Sequence, residues 1–368
     1  MPQTFLAGLK SWMCMAAPMC MAAWVCVAAV QSAALYAPVT PGRTMSFPAD
    51  YGSHPEFHTE WWYVTGWLTT AQGESLGFQI TFFRTKPDVD DANPSSFSPR
   101  QILIAHCALS DPKRGRLWQD QRIRRAGFGV AQAAEGDTAV SMDRWSLARQ
   151  ADNYVARIEA EGFSFDLTLA PTQAVLLNGE GGMSRKGPSL MAASYYYSVP
   201  HLRVSGSIAR QGARAAVSGE AWLDHEWSSE YLDDEAVGWD WLAINLDDGG
   251  AVMAFRIRGA RGEARWAGGT VRSADGTVKV LRREEVDFRE GRRWVSERTA
   301  ISYPVEWSVR AGDLTLAIRP LLDDQENDTR LTTGAIYWEG AVQAGIAGRL
   351  VGRGYLELTG YGERLRLP

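Results

Sequence analysis

Cysteine is nearly absent from this chain. Of its four cysteines, Cys14, Cys20 and Cys26 fall in the first 34 residues, which leaves Cys107 alone beyond them. An internal disulfide is excluded there, so stability must come from a packed core. Basic charge is also short, with 38 Lys and Arg against 43 Asp and Glu and a net charge of −5. That balance gives no electrostatic footprint for nucleic acid. Stretches with a helical period are few. Several catalytic signatures are missing too. Gly182-Met183-Ser184-Arg185-Lys186 lacks the second glycine of a nucleophile elbow and lacks the spacing of a phosphate loop. No dinucleotide fingerprint follows a strand, and there is no His-Glu-x-x-His run and no cysteine pair for zinc. His54, His58 and Glu60 have a spacing that an ion could use, as do Asp224, His225 and Glu226. Neighbouring strand residues point apart, however, so the expectation is no metal and no cofactor.

What is present begins with a run of apolar residues from Trp12 to Val30, preceded by Lys10 and followed by Ser32, Ala33 and Ala34. This is the layout of a secretory signal, with cleavage expected after Ser32 or Ala34 and a periplasmic or secreted destination. A lipid anchor at Cys26 and a retained membrane anchor are the alternatives. All fifteen tryptophans except Trp12 and Trp24 lie beyond this segment. Such a load suits both a filled core and an apolar ligand pocket.

Residues 35–59 form an extended, proline-rich lead-in. Glu60 to Leu68 then reads as a strand, Ala71-Gln72-Gly73-Glu74 as a turn, and Leu76 to Arg84 as a return strand. Further strands are expected over Ile102–Leu109 and in a hairpin that turns at Glu161-Gly162. A short helix is expected over Asp143 to Arg149, and the Gly-rich, basic stretch from Asn178 to Ser189 reads as a loop. Val217 to Trp227 closes the first half. The second half opens as the first did, with Trp239 to Leu246, the turn Asp247-Asp248-Gly249-Gly250, and a return from Ala251. The final Gly354–Tyr361 stretch echoes Gly219-Glu220-Ala221-Trp222. The pattern predicts an all-β chain built as a two-fold repeat of an antiparallel barrel, with few short helices. The expected boundaries are 1–34 for the signal, 35–228 for the first domain and 229–368 for the second.

The candidate chemistry lies where the halves meet. Asp224, His225 and Glu226 stand between Trp222 and Trp227, and Asp240 stands between Trp239 and Trp241. On an alternating strand His225 shares a face with Leu223 and Trp227. A neutral imidazole in an apolar interior can exchange a proton near pH 7, and so can an acid that burial keeps protonated. The competing reading gives His225 a structural hydrogen bond and Asp240 an arginine partner. It makes Asp224, His225 and Glu226 a stitch between the two barrels.

Longer segments carry a resemblance. His54-Pro55-Glu56-Phe57-His58-Thr59-Glu60-Trp61-Trp62-Tyr63 and Gly77 to Arg84 resemble the carotenoid 1,2-hydratase and AttH-like family. So do Ser194-Tyr195-Tyr196-Tyr197-Ser198-Val199-Pro200, Trp222 to Trp227, Gly238 to Trp241, Tyr337-Trp338-Glu339-Gly340 and the final strand. The resemblance implies two lipocalin-like barrels in tandem. It implies water addition to a long isoprenoid, or export as a protein associated with a lipoprotein-release type of permease. Carried over by motif, the catalytic set is His225, Asp240 and Trp227. The ligand-binding set is Trp61, Trp62, Tyr63, Tyr196, Trp239 and Trp241. The expected partner is an apolar small molecule or lipid. A hydratase and a non-catalytic carrier that serves a membrane permease both stand at this point, with a metal-free hydrolase a distant third.

Overall fold

The computed structural model describes residues 36–365 apart from 90–92 and 96, so the apolar N-terminal run and the cleavage expected after it lie outside the described residues. Strands take 61% of the described residues, which fixes the class as all-β. The helical elements among the described residues are two 3-10 turns, Ala49–Tyr51 and Arg283–Glu285.

The expected repeat is present as two antiparallel sheets. In the first, Thr59–Thr70 lies between Ser75–Thr85 and Ala213–Glu230. In the second, Ala236–Leu246 lies between Ala251–Gly259 and Arg349–Leu358. The opening strand of each sheet therefore pairs with its last long strand, as in an up-and-down barrel. The echo between the two closing segments reflects these equivalent places. The first sheet is nearly closed. Side chains span its remaining gap: Arg124 pairs with Asp143 at 2.8 Å, and the Arg122 guanidinium lies 4.3 Å over the Trp145 ring.

The helix expected over 143–149 is a strand instead. Trp145–Gln150 pairs with Ala139–Met142 on one side and Asn153–Ala160 on the other. Trp145 and Leu147 are buried while Ser146 and Ala148 are less so, a period of two. Asp143 supplies the turn with a φ of 53°.

Alternation along the central strands sorts the side chains into three interiors. Trp62, Val64, Leu68, Leu223 and Trp227 fill the first barrel. Leu242, Ile244, Trp338, Val342, Leu356 and Leu358 fill the second. The opposite faces of the same strands carry Tyr63, Trp67, Trp222, Trp241 and Tyr355, which pack against one another at the junction of the sheets. These strands have no water-facing side at the junction, so they read as nearly continuous apolar and aromatic runs.

The lead-in plugs the first barrel. Val39, Met45 and Phe57 are buried in its core, with Phe47 and Tyr51 packed against them. A buried hub fixes this segment. Oε1 of Glu60 lies 2.7 Å from His54 Nδ1 and 2.8 Å from His225 Nε2. Its Oε2 accepts from Arg84 Nε at 2.8 Å and from the His54 amide at 2.9 Å. His54 Nε2 lies 3.0 Å from Oδ1 of Asp50. Burial alone would raise Glu60, but Arg84 and the two histidines hold it well below the usual carboxylate range. Asp50 is also lowered: its bonds to His54 and the Ser46 amide outweigh burial. Burial works against charge on His54, yet Asp50 and Glu60 outweigh it and raise its pKa.

The hub gives a stability profile. The Glu60 and Asp50 contributions are present above the unfolded carboxylate value and are lost as pH falls through the lower folded values. The His54 contribution is present below its unfolded value and is lost as pH rises through the higher folded one. The hub's own contribution, read as the stability difference between wild type and Glu60→Ala, is expected to be largest between about pH 4.5 and 6.5 and to fall on both sides. Glu60→Ala strands Arg84 without its carboxylate. Urea unfolding should show a loss of about 3–5 kcal/mol together with a flattened profile.

Candidate active site at the sheet junction

The junction opens into a cleft whose walls come from both sheets. Trp61 and Tyr63 enter from the first sheet, and Trp239, Trp241 and Phe255 enter from the second. Four carboxyl groups share these walls: Asp224 and Glu226 from Ala213–Glu230, Glu339 from Ala335–Ile346, and Glu357 from Arg349–Leu358. Each is placed by the same alternation that sends its neighbours Leu223, Trp227, Trp338, Leu356 and Leu358 into the barrel cores.

The four acids divide by their partners. Asp224 is saturated. Its Oδ1 accepts from Ser198 Oγ at 2.5 Å and Trp222 Nε1 at 2.6 Å, and its Oδ2 accepts from Tyr196 Oη at 2.7 Å. Burial lifts its pKa to about 7 while those donors pull the other way. Glu226 is ion-paired with Lys186 Nζ at 2.8 Å and accepts from the Ser194 hydroxyl. Burial raises it and Lys186 opposes the rise.

Glu339 and Glu357 stand directly opposite each other in the strand register. Trp239 Nε1 donates to Oε2 of Glu357 at 3.0 Å. Oε1 of Glu339 is buried and has no hydrogen-bond partner among the described residues. Burial, followed by the neighbouring charge of Glu357, pushes Glu339 well above the carboxylate range. Burial pushes Glu357 up to about 7, with Asp224 and Glu226 adding to the rise. Two facing carboxyls in an apolar wall cannot both ionise cheaply, so the pair retains a proton at neutral pH. His106 closes this end of the cleft. Its Nδ1 lies 3.1 Å from Tyr337 Oη and its Nε2 lies 2.9 Å from Thr332 Oγ1. Burial takes its pKa down to about 3, so it is neutral.

The residues singled out from the sequence divide between three places. Trp61, Tyr63, Trp239 and Trp241 line the cleft. Tyr196 sits behind the wall, donating to Asp224 and accepting from Trp241 Nε1 at 3.1 Å. Trp62, His225 and Trp227 belong to the first barrel. Trp62 stacks on His225 with ring centres 4.6 Å apart, and Trp227 stacks on His54 at 3.8 Å. His225 is committed to Glu60 and, through Nδ1, to Tyr197 Oη at 3.0 Å. Asp240 points into the second barrel. It accepts from Arg256 Nε at 2.5 Å, Arg258 Nε at 3.2 Å and Tyr361 Oη at 2.8 Å. His225 and Asp240 therefore do not meet across the junction, and neither lines the cleft. Ligand atoms of His54, Glu60 and His225 come within 4.8 Å of one another, but hydrogen bonds among them use those atoms, and Arg84 already supplies positive charge beside Glu60.

Sequence reasoning passed over Glu339 and Glu357 as acids, although both lie in segments that carry the family resemblance. The signal was available: Glu339 is two residues from Tyr337 and Glu357 two from Tyr355, on the face opposite Trp338 and Leu356.

Two barrel-type sheets in tandem define a lipocalin-like fold. The chain belongs to the AttH-like family, whose pattern matches residues 38–361. A crystal structure of an AttH protein from Nitrosomonas europaea is 52% identical and superposes with a TM-score of 0.83 over 88% of this chain and 99% of that one. Kievitone hydratase of Fusarium solani subsp. phaseoli is 25% identical over 174 residues, 45% of this chain and 47% of the relative, so the match spans about half of that protein's length. The crystal structure of kievitone hydratase from Nectria haematococca has a TM-score of 0.67 over 89% of this chain and 96% of that one at 14% identity, a likeness of fold.

The raised acids give a sign opposite to that of the Glu60 hub. A carboxyl whose folded pKa exceeds its unfolded one withdraws stability as pH rises from the unfolded value through the folded value. Glu339→Gln should therefore lose less stability between about pH 5 and pH 8 than the wild type, by about 1 kcal/mol or more, as read by denaturant unfolding at both pH values.

Proposed function

We propose that this protein adds water across a carbon–carbon double bond of a long apolar ligand held in the junction cleft. The observation that carries this reading is the facing pair Glu339 and Glu357 in an aromatic wall, where burial raises both carboxyls and so favours retention of a proton. In the proposed step the pair's proton passes to one alkene carbon, and the π electrons form the new C–H bond. The adjacent carbon becomes cationic, beside the ring faces of Trp61, Trp239 and Trp241. A water oxygen bonds to that carbon, and its spare proton leaves to a carboxylate of the cleft, so the site is regenerated without net proton use. The catalytic assignment moves accordingly from His225, Asp240 and Trp227 to the acids of the cleft.

The hydratase relative and the shared fold support the reaction class. An acyclic isoprenoid, of which a carotenoid end group is one form, fits a cleft of tryptophan, tyrosine and phenylalanine with proton-holding acids at one end. The N-terminal apolar run supports action outside the cytoplasm, with a membrane permease as a possible partner in cargo transfer. The test is incubation of the protein with acyclic carotenoids and with the apolar molecules that copurify with it, followed by mass spectrometry for a water adduct. Glu339→Gln and Glu357→Gln are expected to lower kcat by about 10²–10⁴-fold, whereas His225→Gln should act mainly on stability. Ligand retained without turnover in the wild type would instead identify a carrier.

A further inference from the structure

Lys186 is the buried lysine of the described residues. It follows the short strand Met183–Arg185 in the Gly-rich loop that the sequence marked as basic. Its Nζ lies 2.8 Å from Oε1 of Glu226 and 3.1 Å from Ser184 Oγ. The rings of Phe255, Tyr196 and Tyr231 surround it at 4.3, 4.8 and 5.1 Å. Phe255, Tyr231 and Glu226 line the cleft, so this ammonium group sits directly behind the cleft wall.

A buried ion pair is a poor source of stability, because desolvation of both charges offsets their attraction and an apolar pair of similar volume often packs as well. Its effect on the cleft is more specific. Two acids lie on the first-barrel wall and two on the second, yet a cation is placed against only one of the four. The groups that face Glu226 are Lys186, Asp224, Tyr196, Tyr231 and Glu357. Lys186 is the one cation among them, and its attraction adds to hydrogen bonds from Ser194 and Tyr231 in favouring the charged form. The Glu339–Glu357 pair has no such partner.

We propose that Lys186 is a positioning residue that holds Glu226 as a carboxylate inside the cleft, so that Glu226 takes the proton of the attacking water while the Glu339–Glu357 pair supplies the proton that goes to carbon. The proposal rests on the hydration reading for its chemistry, but not for its electrostatics. The step balances. The pair loses one proton to carbon, Glu226 gains one from the bound water, and exchange through the open cleft returns it to the pair. The neighbouring ammonium disfavours the neutral acid and so speeds that return.

Two measurements test the assignment. The first is made on ligand-free protein by carbon-13 NMR titration of labelled glutamate carboxyls. In the wild type, Glu226 should be ionised at neutral pH while the Glu339–Glu357 pair still titrates. Lys186→Gln should leave Glu226 protonated at neutral pH, and Lys186→Arg should keep it ionised. The second is the pH–rate profile. Lys186→Gln should lower kcat by about 10²-fold, change KM little, and move the acid limb to higher pH, with Lys186→Arg restoring the limb. A folded Lys186→Gln in which Glu226 stays ionised, or an acid limb that does not move, overturns the proposal. If the glutamine variant fails to fold, the Lys186→Met, Glu226→Gln double variant replaces the pair without a stranded charge. Loss of the acid limb in that variant supports the proposal, and an unchanged limb overturns it. If the wild type hydrates nothing, the reaction assigned to the cleft fails, and the ligand-free titration still decides whether Lys186 sets the charge of Glu226.

Discussion

From Ala221 to Ser228 every residue of the strand Ala213–Glu230 is buried. Every polar group on that segment must be satisfied inside the protein, because an unmet buried charge costs several kcal/mol. Alternation then decides where each is satisfied. His225 turns into the first barrel and meets Glu60, which in turn holds the lead-in through His54 and Asp50. Asp224 and Glu226 turn the other way into the junction, where donors from both sides of the wall reach them. One strand therefore closes the first barrel, anchors the plug and supplies half of the acids in the cleft. The second sheet repeats the arrangement with Tyr355 and Glu357 on its own closing strand.

Much of the fold was legible because period-two alternation and turn chemistry are local signals. The tandem repeat and the hairpin at Asp247-Asp248-Gly249-Gly250 follow from them. The choice of face was not legible. His225 beside Leu223 and Trp227 looks like a group on a cavity wall, but apolar neighbours on both flanks also describe a filled core, and that is where His225 lies. Asp240 misled for a related reason. Its arginine partners lie across the hairpin, Arg256 directly opposite and Arg258 opposite Gly238, and no spacing along one strand reveals a cross-strand ion pair. The helix expected over 143–149 failed because the window was too short to separate a period of 3.6 from one of two.

A pocket that only carries an apolar cargo has no use for four buried carboxyls. Hydrocarbon surface would bind such a ligand at lower cost, because each acid in a dry wall must be paired, donated to or kept neutral. Three different solutions to that problem occur within one cleft. Asp224 is met by three neutral donors, Glu226 by an ammonium, and Glu339 and Glu357 face each other where burial raises both and favours the neutral form. Different environments for chemically similar groups are what acid–base chemistry at a single pH requires, since one group must hold a proton while another accepts one. A scaffold under selection for stability alone would place an apolar side chain at Glu339, whose Oε1 is buried without a hydrogen-bond partner among the described residues. The cost of retaining a proton-holding acid there is the physical argument that favours a reaction in this cleft over simple carriage.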